Sequence, residues 1–234
     1  MDTRVGDDAA AAATHASRRV VLFDFDGVLM RGDAFTRFVR ARLFGSWWRL
    51  PIALLLIPVL WPFSRIRRLR MPVAGVFVRL ALLGVHPERF AQLVRDFAAD
   101  LVQQPRIFIR EGVSAMRRHV VAGDRVIIVT GCELTLARAI FAAIGLHGLE
   151  IIASRLRKGY LGMRKDVHNI GSQKPRQIAA YGISEPWDMA YSDSSRDIPM
   201  LKGARVAILV NADATTCRRV ERALGRPVRK VDWF

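Results

Sequence analysis

The stretch from Val20 to Val28 constrains the fold of this chain more than any other. A short apolar run ends in Asp24 and Asp26, and Gly27 follows the second carboxylate. That composition is typical of a buried parallel strand whose carboxyl end opens into a loop. Because ligands of open α/β sheets bind at the carboxyl ends of the strands, both aspartates should lie in the ligand crevice. Two carboxylates so close repel each other unless a cation or a shared proton relieves them, and a divalent metal is the usual relief.

An ordinary turn after a strand has the same Asp-x-Asp-Gly composition, so the interpretation depends on the rest of the chain. Extended runs of apolar residues alternate with amphipathic helices after Val28. This order predicts an α/β fold with a doubly wound, Rossmann-like parallel sheet. Later strands are predicted at Asp124 to Gly131, Glu150 to Leu156, Trp187 to Tyr191 and Val206 to Val210.

Length and charge set further limits. A chain of 234 residues suits one sizeable α/β domain or a core domain with an insert. It has 37 Lys and Arg against 21 Asp and Glu, a net charge of +16, which predicts an anionic partner. No nucleic-acid motif accompanies this charge, so a nucleic-acid partner is not expected.

Residues 1–17 have no secretory signal pattern and are predicted to be a disordered tail. The two cysteines are far apart in the sequence, which indicates a reducing, cytoplasmic environment.

A strong shift in composition separates residues 33–106 from the predicted core at 18–32 and 107–234. From Ala34 to Pro87 there is no acidic residue, whereas nine arginines occur. Two apolar segments, at about 47–63 and 71–85, are shorter than the ~20 residues of a spanning helix, and tryptophans and arginines border them as in interfacial segments. We therefore expect an inserted helical cap that associates with a membrane. A buried helical pair in a soluble cap is the alternative.

Polar groups at three predicted strand ends should meet at one edge of the sheet, with a lysine from a helix start beside them: Asp24 and Asp26, Thr130 and Gly131, Asp193 and Asp197, and Lys174. This set suits phosphoryl transfer to a carboxylate. Asp24 would attack phosphorus and form an aspartyl-phosphate. Asp26 would protonate the leaving oxygen and later activate water.

The remaining polar groups suit a metal ion and a phosphate. Mg²⁺ prefers oxygen ligands and keeps several waters, so Asp24, Asp193 and the backbone carbonyl of Asp26 are candidate ligands. Asp197 is a further candidate, either as a direct ligand or in the surrounding shell. The phosphate oxygens would be held by the hydroxyl of Thr130, the amide of Gly131 and the ammonium of Lys174.

The same stretches, in this order, resemble the haloacid dehalogenase-like phosphatases. The resemblance covers the chain from Arg18 onward, and the insert lies where the phosphoserine-phosphatase-like branch has its helical cap. Val28 and Cys132 depart from the commonest motifs, but neither removes a required charge. The motifs that carry the resemblance are Asp24–Gly27, Thr130-Gly131, Lys174 and Asp193–Asp197.

Within that family, three segments and the arginine-flanked apolar cap look like bacterial phosphatidylglycerophosphatase C. The segments are Ile152–Tyr160, Gly171–Lys174 and Tyr191–Leu201. The resemblance implies a Mg²⁺ cofactor, phosphatidylglycerophosphate as substrate, and an anionic membrane surface as partner, with no obligate protein partner. It also implies a position on the cytoplasmic side of the inner membrane. The alternatives are a soluble small-metabolite phosphatase such as a phosphoserine phosphatase, and a catalytically idle membrane-bound regulator.

The order of the motifs also limits the membrane topology. Asp24 precedes the apolar segments, and Thr130, Lys174 and Asp193 follow them, yet all must meet on one side of a bilayer. An odd number of crossings between Asp24 and Thr130 is therefore excluded. Carrying the arginines at 65–70 through the hydrocarbon would be costly, so we expect a monotopic or re-entrant cap.

Overall fold

A computed structural model describes residues 18–66 and 68–233. The tail expected over residues 1–17 lies outside the described residues. The described chain contains one sheet of seven strands. These strands are β1 Val20–Phe23, β2 Arg125–Glu133, β3 Glu150–Gly159, β4 Gly162–Val167, β5 Trp187–Ser192, β6 Ala204–Val210 and β7 Arg229–Val231.

The strand order is β4-β3-β2-β1-β5-β6-β7, with β1 in the centre. All neighbouring pairs are parallel except β3 and β4, which are antiparallel. Only Tyr160 and Leu161 separate β3 from β4, and so short a connection can only form a hairpin. The predicted parallel α/β sheet is thus confirmed as mostly parallel, with one antiparallel edge strand. Strand β7 was not predicted, because its residues Arg229 and Lys230 are polar.

Nine α-helices occur in the described part of the chain. They are α1 Ala34–Phe44, α2 Arg49–Ser64, α3 Arg70–Ala81, α4 Pro87–Val102, α5 Arg110–Val121, α6 Leu134–Ala143, α7 Gln173–Ala180, α8 Ile198–Lys202 and α9 Ala214–Leu224. A short 3₁₀ turn, Ser195–Asp197, precedes α8.

Hydrophobic clusters cover both faces of the sheet, as a doubly wound fold requires. Successive side chains of β1 point to opposite faces because a strand has a period of two. Val21 and Phe23 therefore belong to one buried cluster, and Leu22 belongs to the other. The first cluster also contains cap residues such as Phe38 and Phe90. The boundaries at residues 33 and 106 thus divide elements that share a core, and they stay a prediction.

The insert consists of α1 to α4, and α2 leaves most of its apolar side chains in solvent, as does the first half of α3. Helix α2 buries only Arg49 and Ala53. Trp47, which precedes α2, is 88% exposed, and Leu55 is 73% exposed. The large exposed side chains of this apolar cap surface are Phe44, Trp47, Ile52, Leu54, Leu55, Ile57, Val59, Trp61, Phe63, Ile66, Leu69, Met71 and Val76. The alternative of a buried helical pair is therefore not what the structure shows.

Among residues 18–66 and 68–233, none of the helices has the length and hydropathy to cross a membrane by itself. Helices α1 and α2 reach the required length and hydropathy only as a pair, and they are bent by 117° at the break between them.

Candidate active site

The candidate nucleophile lies directly after the central strand. The backbone N–H of Asp24 donates to the carbonyl of Tyr191 in β5 at 3.0 Å, which fixes the loop against the neighbouring strand. Asp24 Oδ1 accepts a 2.7 Å hydrogen bond from the N–H of Phe25, and its Oδ2 lies 3.0 Å from Lys174 Nζ. Burial raises the pKa of Asp24 well above its usual value, although Lys174 opposes this shift.

Lys174 connects two carboxylates at the start of α7. Its Nζ lies 2.7 Å from Asp197 Oδ2 and 3.0 Å from Asp24 Oδ2. The side chain is buried. Burial alone would lower the pKa of Lys174, but Asp24 and Asp197 together raise it above its usual value. The ammonium group is therefore a fixed positive charge in the centre of the site.

Asp197 is the second carboxylate in contact with Lys174, and it is also close to Asp24. Its Oδ2 also accepts a 2.8 Å hydrogen bond from the hydroxyl of Ser192. Burial would raise the pKa of Asp197, but Lys174 and the hydrogen bonds to this carboxylate hold it below its usual value. These contacts favour a role for Asp197 in orienting Lys174, and its direct ligation of a metal stays a prediction.

The candidate acid–base residue connects the core to the insert. Asp26 Oδ1 accepts a 2.8 Å hydrogen bond from the N–H of Ala34, the first residue of α1. Asp33 caps the same helix by accepting from the N–H of Thr36 at 2.6 Å. Burial, together with the charge of Asp33, raises the pKa of Asp26 to about 7. A carboxyl group in this environment can hold a proton and deliver it to a leaving oxygen.

Asp193 is packed against the loop that carries the first two aspartates. A Cβ atom on Gly27 would lie 2.0 Å from Asp193 Oδ2. Gly27 also has φ +78°, a conformation that favours glycine. Burial and the charge of Asp197 raise the pKa of Asp193. This glycine thus allows the carboxylate to approach the backbone between Asp26 and Val28.

The charge of the site fits a divalent cation. Asp24, Asp26, Asp193 and Asp197 influence one another's pKa; the buried Lys174 offsets them, and Arg196, which is exposed, lowers the pKa of Asp193 further. Two carboxylates, from Asp24 and Asp193, and the main-chain carbonyl of Asp26 form a hard oxygen set of the kind Mg²⁺ binds together with water. In the described residues, no group of three His, Cys, Asp or Glu side chains is placed to hold one ion. The carbonyl would therefore have to be part of the ligand set.

The candidate phosphate-binding residues lie in β2 beside the end of β1. Phe23, the last residue of β1, is in register with Ile128 of β2, so Asp24 follows β1 next to the part of β2 that carries Thr130, where the pairing of β2 with β3 becomes irregular. Thr130 is fully buried, and its Oγ1 accepts a 2.9 Å hydrogen bond from the N–H of Cys132. The hydroxyl proton of Thr130 is then free to point to a phosphate oxygen.

Two residues that form hydrogen bonds to this loop were not identified from the sequence. The hydroxyl of Ser154 donates to the carbonyl of Gly131 at 2.7 Å. The side-chain amide of Asn169 donates to the carbonyls of Thr130 at 3.1 Å and Ile152 at 2.9 Å. A serine within an apolar strand is only a weak indication in the sequence that Ser154 has a role. An isolated asparagine after a strand gives no such indication for Asn169.

We expect Gly27→Ala to lower both stability and turnover. The positive φ alone should cost about 1–2 kcal/mol, and the new methyl group would displace Asp193 from the loop. Gly123→Ala is a matched control, because Gly123 has φ +80° with nothing within 4 Å of the added carbon. Thermal unfolding should show a loss in both variants, larger in Gly27→Ala because of the contact with Asp193, whereas p-nitrophenyl phosphate hydrolysis should fall only in Gly27→Ala. Equal turnover in the two variants would show that the position of Asp193 is not important.

Comparisons with known proteins agree with this arrangement. A model of the haloacid dehalogenase-like hydrolases matches residues 21–202. An inhibition of morphological differentiation protein from Streptomyces azureus is 28% identical over 152 residues, which are 62% of this chain and 53% of that protein. The chain thus spans about half the length of this curated relative.

Two solved structures show the same fold. A protein of unknown function from Bordetella pertussis Tohama I is 22% identical, with a TM-score of 0.69 over 91% of this chain and 98% of that one. A phosphoserine phosphohydrolase-like protein from Francisella tularensis is 14% identical, with a TM-score of 0.56 over 82% of this chain and 87% of that one. The family model extends from β1 to the end of α8 and so includes every strand end that carries a site residue. The chain belongs to the haloacid dehalogenase-like hydrolase family.

Proposed function

We propose that this hydrolase is a Mg²⁺-dependent phosphatase that removes the terminal phosphate of phosphatidylglycerophosphate, on the cytoplasmic side of the inner membrane. The contact of Asp24 with Lys174 supports the phosphatase, because it places a carboxylate nucleophile beside a fixed cation. The apolar cap surface supports the lipid substrate, because it lies in the insert whose first helix is hydrogen-bonded at its start to Asp26.

Asp24 would attack the phosphorus atom through a carboxylate oxygen and form an acyl phosphate. Its Oδ1 is held by the N–H of Phe25, and its Oδ2 faces Lys174, so the carboxylate is fixed in orientation. Asp26 would give its proton to the leaving alcohol and then take one from the water that hydrolyses the intermediate.

The phosphate oxygens would be stabilised by positive charge and hydrogen-bond donors. Lys174 is buried and stays charged, so its field acts with little screening. Thr130 and the amide of Gly131 would donate to the same oxygens. Mg²⁺, when bound, would offset the charge on the phosphate and the carboxylates.

The exposed side chains of the cap favour a lipid over a polar metabolite as substrate. A polar metabolite needs hydrogen-bonding groups in the cap, whereas α2 and α3 expose apolar side chains to solvent. Large exposed apolar surfaces mark sites of interaction with a protein or a membrane. Phosphate release from detergent-dispersed phosphatidylglycerophosphate, lysophosphatidate and phosphoserine, measured side by side, tests the assignment. Preference for phosphoserine would instead favour the small-metabolite alternative, and no release from any of them would favour an idle regulator.

Turnover should require Mg²⁺. Thorough chelation with EDTA should abolish phosphate release, and Mg²⁺ should restore it. Excess Ca²⁺ should inhibit, because Ca²⁺ prefers longer bonds and more ligands than two carboxylates and a carbonyl provide. Undiminished turnover after chelation would overturn the metal assignment.

The cap should enter one leaflet without crossing the bilayer. Ser46 and Ile66 border α2, so cysteines introduced there report on both of its ends. In cells, a membrane-impermeant maleimide applied from the periplasm should label neither Ser46→Cys nor Ile66→Cys. Both should react after the inner membrane is permeabilised. Periplasmic labelling at position 66 with cytoplasmic labelling at 46 would show a crossing.

A further inference from the structure

Three arginines of the insert lie near enough for the charges of two of them to act on the third. The arginine cluster consists of Arg42 near the end of α1, Arg49 at the start of α2 and Arg89 in the first turn of α4. Phe38 of α1 packs edge-on against Phe90 of α4 with ring centroids 5.8 Å apart. This contact joins α1 to the first turns of α4, which carry Arg89, and Arg42 lies one turn beyond Phe38 on the same face of α1. The charges of Arg49 and Arg89 both act on Arg42.

Arg49 is fixed in place by neutral groups. Its Nε donates to the carbonyl of Leu80 at 3.2 Å, and its Nη2 donates to the carbonyl of Leu83 at 3.0 Å. Its Nη1 lies 3.5 Å from the hydroxyl of Ser46, and the guanidinium carbon is 4.3 Å from the ring centroid of Trp48. Three of the five N–H donors are thus used, and the buried charge keeps two donors for a ligand.

Arg42 carries an unmet donor. Its Nε is buried and has no hydrogen-bond acceptor among the residues that the structure describes. Burial, followed by the charges of Arg49 and Arg89, lowers the pKa of Arg42. Its side chain is nevertheless partly exposed as a whole, so a ligand can reach it from outside.

No acidic side chain in the described chain forms an ion pair with any member of the arginine cluster. The nearest acidic residue in sequence, Glu88, is exposed. Three like charges around a buried, unsatisfied N–H are unfavourable unless an anion joins them. Planar guanidinium groups match the oxygens of a phosphate particularly well.

We infer that the arginine cluster binds the phosphate group of an anionic phospholipid that is not the substrate. Arg42 lies nine residues beyond Asp33, which is about 13 Å along α1, so one phosphate cannot occupy both this cluster and the active site. The neighbouring side chains of Phe44 and Trp47 are exposed and would lie among the acyl chains when the cluster meets the head groups. The inference rests on the membrane association in the proposed function, but not on the identity of the substrate.

Arg42→Gln and Arg89→Gln test the inference, because neither side chain holds a helix in place as Arg49 does. Arg95→Gln is the matched control, since Arg95 is an exposed arginine on the same helix as Arg89 and lies six residues beyond it. Binding is measured by flotation with phosphatidylcholine vesicles, with and without phosphatidylglycerol. We expect Arg42→Gln and Arg89→Gln each to reduce binding to the anionic vesicles about fivefold. Binding to pure phosphatidylcholine and hydrolysis of p-nitrophenyl phosphate should not change.

Other results would indicate attraction by net charge, a free phosphate ligand or no lipid site. A similar loss of binding in Arg95→Gln would show attraction by net charge alone and would overturn the cluster as a site. If inorganic phosphate raises the melting temperature of the unsubstituted protein more than that of Arg42→Gln, while vesicle binding is the same in both, the site takes free phosphate and not lipid. Absence of vesicle binding would overturn the lipid site. Failure to hydrolyse phosphatidylglycerophosphate, with lipid-dependent binding intact, would overturn only the proposed substrate.

Discussion

Asn in place of Asp24 should reduce kcat by about 10⁴-fold or more. An amide oxygen is a poor nucleophile, so the covalent step has no other starting point in this site. The substitution keeps the size of the side chain but removes the charge that faces Lys174 Nζ at 3.0 Å. Steady-state hydrolysis of p-nitrophenyl phosphate measures the loss, and substantial activity in purified Asp24→Asn would rule out the covalent mechanism.

Formation of the acyl phosphate can be measured separately from its hydrolysis. After acid quenching, radiolabelled phosphate should remain bound to the unsubstituted protein and be absent from Asp24→Asn. Asp26→Asn should still become labelled from a substrate with a good leaving group, because p-nitrophenol departs without a proton donor, but it should release phosphate slowly. Asp96→Asn is the control for the chemical change, since Asp96 is exposed on α4 and should behave like the unsubstituted protein.

Much of this site could be predicted because parallel strands end at one edge of a sheet. The sequence places Asp24, Thr130 and Asp193 after three apolar strands, and β1 lies between β2 and β5 in the sheet. Adjacency along that edge follows from strand order, which right-handed crossover connections restrict to a few topologies. The carboxylates could therefore be assigned to a common site before their distances were known.

The supporting hydrogen bonds could not be predicted, because they depend on tertiary geometry. Asn169 reaches the carbonyls of Thr130 and Ile152 only because β3 lies beside β2 in register. Nothing local to an asparagine in a loop marks it as a donor to a strand nearly forty residues earlier. The 2.8 Å contact of Asp26 with the N–H of Ala34 was missed for a similar reason: it requires the turn of the chain between them.

The apolar composition of the insert was predicted, but the exposure of its individual side chains was not. Composition indicated two apolar segments without acidic residues, but it could not show which side chains pack inward. Helix α2 has apolar residues around its whole circumference, so no periodic pattern distinguishes one face. The arginines were expected at the edges of these segments, whereas Arg49 is in fact buried against the ends of α3.

Methionine in place of Lys174 should reduce turnover by about 10²- to 10³-fold, as expected when a charged group that stabilises the transition state is removed. Methionine nearly keeps the volume of this buried side chain but leaves Asp24 and Asp197 facing each other without their shared cation. Breaking a buried ion pair from one side costs about 3–5 kcal/mol, so the melting temperature should also fall. Lys202→Met, at an exposed position at the end of α8, should change neither property.

The loss of turnover and the loss of stability should separate when Asp197, the second carboxylate that contacts Lys174, is neutralised as well. In Lys174→Met combined with Asp197→Asn, the amide can still accept from Ser192, and the excess buried charge is gone. Thermal unfolding should then recover most of the lost stability, whereas turnover should stay low because the phosphate still lacks its cation. Recovery of turnover together with stability would show that Lys174 only holds the fold together. Stability without turnover would place its charge in the chemical step.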